Sequence, residues 1–223
     1  MTALPDGTYL ILNGGQQGRA GFGLCTQPNL NAVLYDPRKP INTRMSVMAN
    51  TTIARLYHSE AVLMQDGRVL VSGSDPKDTR FPQEYRNEVF LPPYLTSGAA
   101  RPEFRLSTKD VPYGGTVVAT ITNGVNVNLQ ISLMGAESST HGNTYGQRTI
   151  FPAISCAGGS CTVTAPPNAH VCPPGWYQVF VLSNGVPSKS TWIRIGGDPG
   201  SVGNWPDLPG FYKPGVGATL PSF

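Results

Sequence analysis

The sequence is short of charge. Of its 223 residues only 13% are Asp, Glu, Lys or Arg, about half the usual share of roughly 25%. The net charge of +3 is spread along the chain without a block of one sign, which excludes the concentrated basic surface used to hold nucleic acid. Long apolar runs are missing too. The longest, WYQVFVL at 176–182, is far below the ~20 residues of a spanning helix, so neither nucleic acid nor a membrane is an expected partner. No stretch carries a convincing helical period. The amino terminus, MTALPDGTYLILNGG, lacks the basic, apolar and small-residue segments of a signal peptide.

Cysteine is scarce, with four residues, but two are suggestively placed. Cys156 and Cys161 bracket Ala-Gly-Gly-Ser between strand-like runs, a spacing that lets a disulfide close a hairpin; the alternative is two unpaired surface thiols. Whether Cys25 and Cys172 pair cannot be deduced. Asn50-Thr51-Thr52 fits a glycosylation acceptor. These features point to an oxidising compartment, which the absent signal contradicts unless the chain is part of something longer.

What the sequence does have is turns. Its 26 Gly and 21 Pro make up about a fifth of the chain, below the roughly 25–30% of low-complexity disorder, and they separate short Val, Ile, Thr and Tyr runs that favour strands. TALPDGTYLILNGG and VLMQDGRVLVSGS share one pattern, with Asp6 and Asp66 sixty residues apart. Asp-Gly between alternating apolar runs predicts a hairpin with a type I′ turn, and the spacing is near the ~50 residues of a kelch-type propeller blade. Two unrelated hairpins are the plainer alternative. LPPYLTSGAARP then breaks the pattern, and TVVATIT, NLQISLM, RTIFPAI, CTVTA, WYQVFVL and STWIRI follow, suggesting about seven strands of an Ig-like sandwich. The predicted architecture is all-β: an incomplete kelch-type β-propeller of about two blades over residues 1–92, a connection over 93–100, an Ig-like β-sandwich over 101–196 and a loop-like tail over 197–223. Propellers close with typically 4–8 blades, so the chain is expected to be a fragment, or an incomplete gene product, of a longer secreted protein.

Tyr57 and His58 stand side by side just before the second hairpin. On a regular strand they would point to opposite faces, so they can share an ion only where the backbone is irregular. Imidazole suits copper, and a phenolate oxygen suits Cu(II). A phenol ordinarily ionises only near pH 10, and a bound cation would supply the charge that lowers this. Alone, the pair reads as two chance neighbours.

ARLYHSEAVLMQDGRVLVSGS, VFLPPYL, SSTHGNTYGQR and CPPGWYQVFVLSNGVPSKSTWIRI, in this order, closely resemble the C-terminal part of the copper radical oxidases. Within that family the chain looks most like the glyoxal oxidases of fungi and plants, with galactose oxidase more distant. The resemblance implies a propeller holding one copper ion on its axis, followed by an early-set sandwich that inserts a loop. It implies Tyr57 as axial tyrosinate and catalytic base, and His58 and His141 as metal-binding imidazoles. It also implies oxidation of a small aldehyde or primary alcohol by O₂ with release of H₂O₂, in a secreted, extracellular or wall-bound protein. The family's cross-linked Cys-Tyr radical belongs to earlier blades, and nothing here matches it, so the chain by itself is expected not to turn over. The alternatives are a non-catalytic wall- or carbohydrate-associated module and an Ig-like interaction domain. His170 matches no ligand and reads as a loop residue, Trp176 and Trp192 as sandwich core. Arg55 and Arg148 could face the site but read first as salt-bridged or solvated.

Overall fold

The computed structural model describes residues 1–123, 127–146 and 148–198; the expected tail therefore lies, beyond Asp198, outside the described residues. The chain is all-β, with helix among the described residues limited to single turns at Ile41–Thr43 and Pro93–Thr96. Thr2–Ala3, Tyr9–Ile11, Asn31–Tyr35 and Met45–Asn50 form one four-stranded antiparallel sheet in chain order. Glu60–Leu63, Val69–Ser72 and Glu88–Phe90 form a three-stranded one. These are the two blade-like units. Among the described residues nothing covers one apolar face of the first, where Met45 is 61% and Val47 71% exposed.

Both Asp-Gly hairpins are present, but not with type I′ turns. Gly7 (φ 83°) and Gly67 (φ 85°) take left-handed conformations, while Asp6 and Asp66 do not. Gly7 N–H donates to Leu4 O (3.0 Å) and Leu4 N–H to Thr8 O (2.9 Å), and Met64, Gly67 and Arg68 repeat the arrangement. This is a three-residue loop, a type I turn closed by a glycine bulge. The aspartates explain the choice: Asp6 Oδ1 accepts from Thr8 N–H and Thr8 Oγ, and Asp66 Oδ1 from Arg68 N–H. Such bonds to the second residue on hold Asp in a right-handed turn, and Pro5 has the fixed φ that position suits.

The second half is a two-sheet sandwich. One sheet runs Glu103–Leu106, Thr116–Asn123, Ser160–Thr164, Ile154–Ala157; the other runs Asp110–Val111, Thr191–Ile195, Gly175–Ser183, Leu129–Gly135, Thr149–Ile150. RTIFPAI, expected as one strand, is two. Thr149–Ile150 pairs with Leu133 and Met134 in one sheet, whereas Ile154–Ala157 pairs with Ser160–Thr164 in the other, and Pro152, which cannot donate to a ladder, lies in the crossing. Cys156 and Cys161 are directly opposed in that second ladder and joined by a disulfide; Cys25 and Cys172 are free thiols.

Gly175–Ser183 is buried on both faces. Tyr177, Val179 and Val181 join the sandwich core with Ile131, Leu133 and Ile193. Phe180 and Leu182, with Met134, join a second cluster containing Leu4, Leu10, Leu63 and Val71 of the blades. Trp176 shares the parity of Phe180 but lies beyond the blade's cover, so it is 46% exposed beneath the Arg194 guanidinium rather than in the core; Trp192 is half-buried. Polar stitches reinforce the seam. Arg101 donates to Asp66 O, Pro187 O and Ser188 O. Glu137 accepts from Leu63 N–H (2.7 Å) and Thr2 Oγ (3.0 Å).

Arg55, 1% exposed, donates to Glu88 Oε2 (3.0 Å), Gly73 O (2.9 Å) and Arg86 O (2.8 Å). Arg55→Met should lower stability by about 1–3 kcal/mol, the cost of leaving buried acceptors without a donor, read from the urea midpoint, since the Glu88 side chain keeps 31% exposure and stays partly solvated. Cys156→Ser with Cys161→Ser should cost about 2 kcal/mol, the loop-closure value for so short a ring, by the same assay. Burial pushes the Glu137 carboxyl up, against hydrogen bonds from Leu63 and Thr2 and the charge of the amino terminus. An acid raised by folding favours the protein below its unfolded value, and that advantage is lost as pH rises through the folded one. Glu137→Gln should therefore flatten the decline in stability above about pH 4.5, the ordinary glutamate range, in thermal melts across pH.

Candidate metal centre

The strand beginning at Glu60 is preceded by a turn, not by extended chain. Ser59 N–H and Ser59 Oγ both donate to Leu56 O, Leu56 N–H donates to Ser74 Oγ (2.9 Å), and Asp75 N–H donates to Tyr57 O (2.7 Å). Within the turn His58 has φ 63°, a left-handed conformation that few side-chain-bearing residues adopt. Gly73 makes room for it: a Cβ there would meet His58 O at 2.7 Å, and its φ is +74°. The result is that neighbouring side chains point the same way. The Tyr57 and His58 rings stack 4.0 Å apart at 25°.

His141 arrives from the sandwich on a separate hairpin, Ser138–Thr140 with Asn143–Tyr145. Its two-residue loop is His141 (φ 54°) and Gly142 (φ 74°), the positive pair of a type I′ turn. The motif Thr-His-Gly-Asn thus holds the type of turn expected at Asp-Gly, and it presents the imidazole at the tip. Thr140 Oγ lies 2.8 Å from His141 Nδ1, leaving Nε2 as the nitrogen available to a metal. The His141 ring centre is 4.7 Å from His58 and 5.6 Å from Tyr57. All three rings line one cavity of about 270 Å³, with Leu12, Asn13, Gly14 and Cys25 on its walls.

Sequence reasoning missed two neighbours. Phe22 stands nearly perpendicular to Tyr57 (5.0 Å) and His58 (5.3 Å), with the Lys77 ammonium 4.2 Å over its ring; inside the aperiodic Arg-Ala-Gly-Phe-Gly-Leu it gives no signal. Glu60 accepts hydrogen bonds from Gly142 N–H (3.2 Å) and Ser139 Oγ, and its charge at the head of an otherwise apolar strand was the one available cue. Arg55, itself buried, pairs with the partly exposed Glu88. Arg148 donates to His170 O and Val171 O, and His170 is an exposed loop residue.

Among the described residues no group of three His, Cys, Asp or Glu side chains comes together as a metal site. The set here is two imidazoles and a phenol, a nitrogen and oxygen donor mixture that fits Cu(II) better than soft-metal chemistry.

Comparison with known proteins gives this geometry a context. The family described as glyoxal oxidase N-terminus matches residues 1–94, and the galactose oxidase-like early set domain matches residues 101–195. A WSC domain-containing protein of Arthroderma benhamiae is 64% identical over 97% of this chain, which covers 23% of it. The aldehyde oxidase GLOX of Vitis pseudoreticulata is 36% identical over 87% of this chain, which covers 40% of it. A fungal alcohol oxidase solved in complex with copper superposes with a TM-score of 0.76 at 26% identity, covering 87% of this chain and 41% of its own. The chain thus spans between 23% and 41% of the length of these relatives. Both modules are matched in order, so the chain carries a glyoxal oxidase N-terminus region followed by a galactose oxidase-like early set domain.

Proposed function

We propose that Tyr57, His58 and His141 hold one copper ion. Within a longer protein of the relatives' size, they would serve a secreted oxidase acting on small aldehydes or primary alcohols. A hydrated aldehyde would give a carboxylic acid, or an alcohol an aldehyde, with two electrons and two protons passing to O₂ to form H₂O₂. The observation that carries this reading is the meeting of two sequence-remote segments, each strained into left-handed backbone at a histidine, over one cavity. Backbone strain of this kind clusters at functional sites.

Copper would supply one oxidising equivalent, the second residing on a cysteine-linked tyrosyl radical that no residue of this chain matches. Tyr57, as phenolate, accepts the substrate hydroxyl proton, a role worth about 10²–10⁴ in rate. His58 and His141 present ring nitrogens from two directions. Phe22 covers the stacked pair on one edge, limiting water there. The Cys156–Cys161 disulfide supports secretion, since such bonds persist in oxidising compartments.

The 223-residue chain should take up Cu(II) with nitrogen coupling in its electron paramagnetic resonance spectrum. His58→Asn or His141→Asn should weaken binding at least ~10-fold, a loss typical of disturbed metal sites; Asn is chosen because it tolerates left-handed backbone. The chain alone should release no H₂O₂ with glyoxal, methylglyoxal or galactose. In the longer protein Tyr57→Phe should keep copper and lose about 10²–10⁴ in kcat. Copper affinity indifferent to both histidine substitutions would refute the reading.

A further inference from the structure

We propose that Glu60 is a positioning residue of this centre, fixing His141 relative to Tyr57 and His58; the inference rests on the reading of those three as copper ligands. Glu60 stands two residues after His58, at the first position of Glu60–Leu63. One of its oxygens accepts from Gly142 N–H and the other from Ser139 Oγ. Both donors flank His141 on the hairpin tip. The carboxylate therefore bridges the turn that carries one histidine to the loop that carries the other, and with both oxygens so engaged it acts on the metal through His141.

The hairpin needs such a fastening. Ser138–Thr140 and Asn143–Tyr145 form a two-stranded sheet of their own, and a lone two-stranded hairpin is marginally stable at best. Its root is held by Glu137, which accepts from Leu63 N–H at the far end of the same blade strand and from Thr2. From root to tip is three residues per strand, about 10 Å at ~3.3 Å per residue. A tilt of about 15° at the root would carry the tip some 2–3 Å, against the ~0.5 Å within which functional groups must be held. Thr144 Oγ donates to Met1 O (3.4 Å) midway along the hairpin, and neither that bond nor the one at the root engages the tip that carries His141. Glu60 removes that freedom at the other end of the lever, so the two carboxylates cross the same seam in opposite directions, one from the hairpin to the blade and one from the blade to the hairpin.

The test uses the chain with Glu60→Ala and Glu60→Gln. In the metal-free protein Glu60→Ala should speed amide exchange at Gly142 at least tenfold and weaken the magnetic cross-peaks between the His58 and His141 rings, with the melting temperature little changed. Copper affinity should fall about 10–100-fold, the usual loss on removing a group that orients a metal ligand. Glu60→Gln keeps a carbonyl for Gly142 N–H and an amide that can donate to Ser139 Oγ, and should recover most of both losses. Unchanged Gly142 exchange and ring cross-peaks in Glu60→Ala would overturn the proposal. So would a Gln variant as weak in copper binding as Ala, because charge rather than placement would then be the cause. Should His141→Asn leave copper affinity untouched, the ligand reading itself fails, and the metal-free measurements still decide whether Glu60 fixes the hairpin.

Discussion

Everything at the candidate centre depends on the double burial of Gly175–Ser183. Two of the three rings belong to the blades and the third to the sandwich, so their meeting is only as fixed as the join between the halves. That join is apolar. Phe180, Leu182 and Met134, all essentially inaccessible, pack into the cluster formed by Leu4, Leu10, Leu63 and Val71. Full burial of such side chains is worth about 1.5–3 kcal/mol each. Hydrogen bonds from Arg101 and to Glu137 set direction on a contact that is otherwise non-directional.

The same strand explains what could be read in the sequence. WYQVFVL is continuous and apolar because both of its faces are covered, the pattern of a central strand; that made it legible as a strand but hid which face met which partner. Trp176 was misassigned to the core for this reason, since nothing local marks the point where the blade's cover ends. Asp6-Gly7 and Asp66-Gly67 located the hairpins correctly, yet the turn type was set by carboxylate bonds to Thr8 and Arg68, a choice between two turns open to the same dipeptide. RTIFPAI concealed a change of sheet, because a crossing strand and a straight one look alike in hydropathy.

At the centre, adjacency of Tyr57 and His58 carried the requirement for irregular backbone, and the structure meets it with a left-handed residue at His58 and a glycine at position 73. The approach of His141 could not be read from residue types, since it depends on a hairpin held from outside itself. Family resemblance supplied that association. Phe22 sits in a loop without periodicity, and Glu60, marked only by a charge at the head of an apolar strand, acts through contacts to residues about eighty positions away.

The open face of the first sheet has a practical corollary for anyone handling this chain. Met45 and Val47 line Met45–Asn50, the last strand of its sheet, and Ile41 before it is 79% exposed. A bare strand edge beside uncovered apolar side chains is a template for pairing between molecules. Among the described residues nothing pairs with this edge, and Val47→Lys would place there the kind of charge that blunts natural edge strands against such pairing.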